Sequence, residues 1–517
     1  MVELTNFLLS LLLILPSFLL LLIIIKNDSL RTRQNRNQTQ LKLPKSYPII
    51  GHFIAVSQQK DTFQWITNLL ISSPSSTFIL HRPFGLDSIQ TVDPNVIEHI
   101  LKTEFHVYQK GPYHRSVLRD FLGDGIFNVE GESWKFQRRV CSYEFSAHAL
   151  KEFVEKVVDF EVSSRLIPIL SRAARDRTVL DLQDILERFT FDNICKISFG
   201  YDPKYLDPSL PNPEFAVAFE EATMISTRRF RSFFPFVWKI CRFLNIGSEK
   251  RLKKAVFTVR EFAMTIVKEK KQSIINNCEN SEDLLSRFLK SGHSNETLLT
   301  DIVISFLVAG RESTSAALTW FFWLIHKNKE AEKEILKELK NRGKQGNKTE
   351  HLNSSVFEQV KQMVYTQAAL CETMRLFPPV PVDIREAVSD DILPDGTLVK
   401  KGTWVTYHPY AMGRLEKLWG VDCAEYRPER WLEEGEDGLK FVPRDACMYP
   451  VFHVGPRVCL GKEMAFLQMK RVVAGVLSRF RVVPAVADGV EPVYVPYLTA
   501  KMHGGFPVMI EERCQVE

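Results

Sequence analysis

The run from Ile302 to Ile325 is the most hydrophobic internal stretch of this 517-residue chain, and it constrains the fold more than any other segment. As a helix its 24 residues would be about 36 Å long, enough to cross a bilayer. Arg311 and Glu312 stand at its centre, however, where a bilayer imposes ~2.5–3.5 kcal/mol on each ionised group. The segment therefore reads as a helix through the middle of a globular domain, apolar all round because it is buried all round, with Thr300 and Asp301 as its cap. Enclosing such a helix takes a large domain, and a composition of 45% hydrophobic, 11% aromatic and 25% charged residues can build one. In its central Ala309-Gly310-Arg311-Glu312-Ser313-Thr314, the spacing i, i+3, i+4 puts Ala309, Glu312 and Ser313 on one face. A polar patch half-way along a buried helix needs a partner, which is water, a protein ion pair or a ligand.

Helical periodicity also runs over Leu180–Ser198 and Leu252–Asn277, whereas strand-like pieces at Ser76–Leu80, Ser88–Val92 and Thr403–Thr406 are short and few. The expected class is mainly α, an α+β fold rich in helices with small β-sheets. No repeat or second linker interrupts the chain after Gly51, so residues 51–517 read as one domain. Upstream, Phe7–Ile25 is an uncharged run of 19 residues that follows Glu3 and leads into Lys26 without a small-residue cleavage site. Residues 1–26 thus read as a membrane anchor rather than a cleaved signal peptide. Residues 27–50 read as a basic, proline-containing linker, and Lys26, Arg31, Arg33, Arg36, Lys42 and Lys45 against Asp28 alone put the following domain on the cytosolic side. A net charge of +5 is too thinly spread to imply a nucleic-acid partner. Nine cysteines with no CxxC pair suit reduced thiols in a cytosolic compartment.

The strongest motif is Phe452-His453-Val454-Gly455-Pro456-Arg457-Val458-Cys459-Leu460-Gly461, followed by a helical run from Lys462 to Phe480. Gly455 permits a tight loop, Gly461 a close backbone approach, and Cys459 stands just before a helix whose free N–H groups favour a thiolate. For a lone cysteine, a structural thiol in a glycine-rich turn would be the plainer reading. Here Phe452, Gly455, Arg457, Cys459 and Gly461 match the F-x-x-G-x-R-x-C-x-G heme loop of the cytochrome P450 family at every fixed position, and the chain resembles that family over about 500 residues. Glu372-Thr373-Met374-Arg375 resembles its E-x-x-R, and Arg430 in Pro428-Glu429-Arg430-Trp431 resembles the arginine that completes the family's structural triad.

The resemblance implies a cytochrome P450 fold carrying heme b, with Cys459 as the metal ligand and axial thiolate. Phe452, Arg457 and Gly461 complete the loop, while Trp134, Arg138 and Arg385 match positions that meet heme propionates. Glu312 and Ser313, followed by Thr314, match the acid and alcohol that relay protons in oxygen activation; this chain has Ser where Thr is usual. Phe121–Asn128, Trp134–Arg138, Ser315–Trp320 and Gly461–Ala465 resemble the plant fatty-acid ω-hydroxylase branch, whose members oxidise terminal carbons of fatty acids, jasmonoyl-amino acid conjugates or sterol side chains. By family position Phe121, Phe127, Phe306, Ala309, Val380, Val382 and Leu498 would line the substrate pocket, although each is equally suited to ordinary core. The expected function is terminal hydroxylation with O2 and electrons from NADPH through a separate NADPH-cytochrome P450 reductase, in a single-pass protein of the endoplasmic reticulum membrane whose catalytic domain is cytosolic. The alternatives are a reductase-independent heme-thiolate isomerase or dehydratase, and a non-catalytic scaffold.

Overall fold

The computed structural model describes residues 44–83, 87–210, 214–276, 283–291, 295–342, 355–436, 438–487 and 489–513. The expected anchor and the linker as far as residue 43 lie outside these. No helix among the described residues is long and apolar enough to cross a membrane.

Helices dominate, as the periodicity implies. Those that bear on the site are α1 (Gly111–Leu122), α2 (Gly131–Ser142), α3 (Leu182–Phe199), α4 (Glu214–Arg231), α5 (Pro235–Leu244), α6 (Gly247–Ile275), α7 (Glu296–Lys327), α8 (Val364–Leu376) and α9 (Lys462–Leu477). The long central helix α7 begins earlier than expected. Its cap is Asn295, whose side chain accepts from Thr297 N at 3.0 Å, and Asp301 already lies inside the helix. The first turn of α7 is polar, so apolar periodicity could not reveal it, and Asp301 instead accepts the Asp124 N–H (2.8 Å) and pairs with Arg260. The run ending at Phe480 also stops short, because the chain leaves α9 at Leu477 and Phe480 opens a strand.

Helix α7 is buried from Leu299 to Ile325 except at Val308, Ala309, Gly310 and Ser313. Its first half packs with α1, α3, α4 and α6, and its second half with α3, α8 and α9. The break between these two apolar cores falls on the charged centre of the helix. A third core underlies a sheet in which β1 (Thr77–His81), β2 (Asp87–Thr91), β3 (Asp383–Ala387) and β4 (Trp404–Tyr407) run in the order β1-β2-β4-β3, with the short strand Tyr108–Gln109 outside β3. Strand β4 lies parallel to β2 and antiparallel to β3, so Trp404 is opposite both Ser88 and Glu386. A second sheet joins β5 (Phe480–Pro484) to β6 (Pro507–Glu512), whose far edge takes Leu180–Asp181. That pairing removes Leu180 from the helix expected there, and Asp181 caps α3 by accepting from Gln183 N at 3.0 Å.

Candidate functional site

The loop before α9 is held by its own backbone. Cys459 N donates to the Phe452 carbonyl (2.8 Å), and Val458 N donates to that of Gly455 (3.0 Å). Gly455 has φ +69°, and a Cβ there would lie 2.1 Å from the Leu101 carbonyl oxygen, so no other residue fits. Gly461 differs from expectation. A Cβ there would meet only the Phe145 ring at 3.6 Å and the Cys459 sulfur at 4.0 Å, so protein packing alone does not demand glycine. What Gly461 does supply is its N–H, which faces the Cys459 sulfur. Burial pushes the thiol up, while Gly461 N–H, Arg138 and Lys462 pull it down. Among the seven described cysteines, none of them in a disulfide, Cys459 alone is exposed. The Phe452 ring packs 5.3 Å from that of Phe466 on α9.

Beside the loop, α2, β3 and α1 gather cations. Arg138 Nη2 donates to the Val458 carbonyl (2.8 Å), and Arg457 stacks 4.6 Å over Trp134 while donating to the Val129 carbonyl (2.9 Å) and pairing with Glu130. Arg385, 1% exposed, pairs with Asp383 at 3.0 Å and meets His453, yet its Nε is buried without a partner. Lys110 lies 3.4 Å from Asp383, and the buried His114 Nδ1 has no partner. The electrostatics agree with crowding of positive charge. Burial and the Arg385 charge bring Lys110 down to about 8 and His453 to about 3, while the surrounding cations hold Asp383 far below the carboxylate range. Lys110, Arg385 and Arg457 outnumber Asp383 and Glu130, and the orphaned Arg385 Nε marks capacity for another anion. This donor set fits a group with a thiolate-binding metal and peripheral carboxylates, as the heme resemblance implies. Lys110, Glu130, Asp383 and His453 were not singled out from sequence; their only signal was proximity to named arginines and to the loop.

At the centre of α7 the expected shared face divides. Ala309 is exposed and Ser313 partly so, with Ser313 Oγ donating to the Ala309 carbonyl (2.8 Å). Glu312 points away from that exposed side, because consecutive helical residues are ~100° apart. Its carboxylate accepts from Thr499 Oγ1, lies 3.5 Å from Arg311 and 3.9 Å from Lys501, and keeps one buried oxygen without a hydrogen bond. Arg311 and Lys501 in turn hold Glu187 of α3 at 2.6 and 2.9 Å. Burial raises the pKa of Glu312, against the pull of Lys501 and Arg311. Thr314, next along the helix, is 5% exposed.

Glu372, Arg375 and Arg430 lie together in one buried cluster. Glu372 accepts from Arg375 Nε (2.8 Å) and Nη2 (2.7 Å), Arg430 Nε (3.2 Å), Trp431 Nε1 (3.0 Å) and Arg427 N (2.9 Å). The proposed pocket residues divide into two groups. Phe121 is fully buried, edge-on to Phe219 with centroids 5.4 Å apart, and Phe306 is 8% exposed, so both sit in the core. Phe127 and Val380 are 40% and 38% exposed, and Val382 and Leu498 are half-buried.

With this geometry in place, comparison with known proteins is direct. The family model described as Cytochrome P450 matches residues 41–501. The chain is similar to Cytochrome P450 94A2 of Vicia sativa, 55% identical over 502 residues that cover 96% of each chain. It is also similar to Cytochrome P450 94A1 of the same plant (54%, covering 92% of this chain and 91% of the relative) and to Cytochrome P450 94B3 of Arabidopsis thaliana (45%, 99% of each).

Proposed function

The chain belongs to the cytochrome P450 family, and from that premise we propose that it hydroxylates the terminal carbon of an aliphatic chain such as a fatty acid, a jasmonoyl-amino acid conjugate or a sterol side chain. It is a heme-dependent monooxygenase that takes O2, a lipophilic substrate and electrons from a redox partner; a heme-thiolate isomerase or dehydratase, which needs neither dioxygen nor electrons, is not favoured. When bound, the heme supplies oxygen activation, favoured by a thiolate ligand. In our reading Cys459 would hold the iron, and Trp134, Arg138, Arg385 and Arg457 would hold the propionates. The Gly461 N–H would keep a thiolate charge at Cys459 Sγ. Glu312, fixed by Thr499, would hold a proton at its carboxyl inside the ion cluster, and the Ser313 hydroxyl, on the other side of the same turn, would present one at the more exposed face of α7.

The observation that carries terminal attack is the contact between the Phe121–Asn128 segment and α7. A Cβ on Gly125 would lie 2.0 Å from Ser305 Oγ and 2.8 Å from the Asp301 carbonyl, so this loop packs on α7 with no room for a side chain, next to Phe306 and one turn from Ala309. A wall built that tightly supports a narrow approach. Favouring a terminal C–H bond tenfold over its weaker neighbour takes ~1.4 kcal/mol of differential transition-state stabilisation beyond offsetting the intrinsic preference. We further propose NADPH-cytochrome P450 reductase as the electron donor and the endoplasmic reticulum membrane as the location, with a cytosolic catalytic domain. The apolar Phe7–Ile25 and the cations after it support that placement. The test is to incubate enzyme, plant reductase and NADPH with a saturated medium-chain acid and, separately, a side-chain hydroxysterol, and to locate the new hydroxyl by mass spectrometry. A primary alcohol is expected; predominant in-chain oxidation of both would overturn terminal selectivity.

A further inference from the structure

The two glycines of Phe121-Leu122-Gly123-Asp124-Gly125 are both answered by α7. Gly123 has φ +52°, and a Cβ there would lie 2.1 Å from Asp301 Oδ2, just as one on Gly125 would meet Ser305 Oγ. The loop is shaped around one carboxylate. Asp301 is 3% exposed, and each of its oxygens has a partner of its own: Oδ2 accepts the Asp124 N–H (2.8 Å), and Oδ1 pairs with Arg260 of α6. Asp301 lies in the second turn of α7, so capping does not account for it; Asn295 has that task. Burial raises the Asp301 pKa while the Asp124 N–H and the Arg260 charge pull it down, so these two partners are what keep it ionised at that depth.

The other ties of the loop run elsewhere. Asn128 Nδ2 donates to the Gly123 carbonyl (2.9 Å), which closes residues 123–128 into a unit, and Gln137 Nε2 of α2 donates to the Asp124 carbonyl (2.9 Å). Among the described residues, the bond from Asp124 to Asp301 is the one hydrogen bond that joins this unit to α7. The loop also borders an open cleft of about 480 Å3, lined by Arg115, Asp124, Glu130, Asn295, Leu298 and Asp301. On that side it has room to move away from α7.

We propose that Asp301 is a positioning residue for regioselectivity: by holding residues 123–128 against α7 beside Phe306, it sets how closely the wall approaches the reacting end of the substrate, and so the balance of terminal over in-chain oxidation. This rests on the terminal-hydroxylation reading above. Asp301 acts through the loop and touches no reacting atom. Arg260 makes the clamp three-sided, because it ties α6 to the same carboxylate through a charge-assisted bond. Without the carboxylate the loop shifts into the cleft, the approach widens, and the weaker inner C–H bonds gain access.

The test compares full-length wild-type holoenzyme with Asp301→Ala, Asp301→Asn and Arg260→Gln, each given plant reductase, NADPH and dodecanoate, and reads the ratio of terminal to in-chain alcohols by mass spectrometry. Amide hydrogen exchange over residues 121–128 reports the loop itself. Asp301→Ala should lower the ratio about tenfold, or ~1.4 kcal/mol, and speed exchange at Asp124, with heme content and total turnover within about twofold of wild type. Asp301→Asn keeps an acceptor for the Asp124 N–H and should restore most of the ratio, while Arg260→Gln should lower it about threefold. A purely structural role would reduce heme content and turnover with the ratio unmoved, and that result overturns the proposal. Should Asp301→Ala not fold, Arg260→Gln decides, since that side chain is 25% exposed: an unchanged ratio overturns the clamp. If wild type gives mainly in-chain alcohols and Asp301→Ala still redistributes them, the terminal reading falls and the clamp stands. If wild type is terminal and no variant moves the ratio, the clamp falls and the terminal reading stands.

Discussion

Replacing Glu372 by Ala removes the acceptor at the centre of a buried ion cluster. Glu372 and Arg375 are 0% and 1% exposed, and the carboxylate takes five hydrogen bonds from four residues. After the change Arg375 keeps carbonyl acceptors on Cys423 (2.6 Å) and Glu425 (2.8 Å), but its charge is left buried without an opposite. Breaking one side of such a pair costs ~3–5 kcal/mol. The orphaned Trp431 and Arg427 N–H groups would each add ~1–3 kcal/mol in isolation, but neighbours in one network do not add, so about 5 kcal/mol is the expected total. That is a large fraction of the ~5–15 kcal/mol that holds a native domain. The damage should reach the site, because Tyr449, three residues before Phe452, donates its hydroxyl to the Cys371 carbonyl (3.0 Å) on the same helix as Glu372. Urea unfolding of the full-length holoenzyme, followed by tryptophan fluorescence, reads the stability, and the ferrous carbon monoxide band reads the loaded fraction. Glu372→Gln, which keeps shape and one acceptor oxygen, should lose less. A loss below about 1 kcal/mol for Glu372→Ala, with normal heme content, would refute the reasoning.

Two further outcomes follow from the site. Cys459→Ala should abolish the ferrous carbon monoxide band near 450 nm expected of the family and with it turnover, since every other described cysteine is buried or half-buried; persistence of the band would refute the assignment. Ser313→Ala should leave heme content and substrate binding intact while product per NADPH falls severalfold and hydrogen peroxide rises, because the hydroxyl on the more exposed face of α7 is lost. Unchanged coupling would show that Ser313 is dispensable.

The parts of this molecule legible in sequence were those written in consecutive residues. The Phe452–Gly461 loop, the Glu372/Arg375 pair and the long α7 are local patterns, and each falls where the residues put it. Charge on α7 was legible as a puzzle but not as an arrangement. The pairing of Arg311 with Glu187 joins residues 124 positions apart, and nothing local to either announces the other. The same holds for Asp383 and Lys110, which meet only because the sheet brings β3 beside the start of α1. Helix ends were missed for a different reason: the Asn295 cap and the Leu477 stop lie where the apolar period fades, and local hydrogen bonding decides them. Phe121 could not be told from a pocket residue, because an aromatic at a core position and one at a wall carry the same sequence signal.

Helix α7 shows how a buried helix carries two charges at its midpoint. Arg311 and Lys501 face Glu187, Glu312 and, at 3.6 Å from Lys501, Glu220, so each buried charge has an opposite, and the partners come from α3, α4 and the chain after Leu498. The uncharged side of the same turn, at Ala309 and Ser313, stays clear of the cluster. Two consecutive residues then do separate jobs, Glu312 inside the ion cluster and Ser313 on the more exposed face. The holder of Glu312 is Thr499, next in sequence to Leu498, a residue of the proposed pocket wall. Because the two are adjacent in the chain, a shift of that stretch of backbone would move Leu498 and the hydroxyl that fixes the acid together.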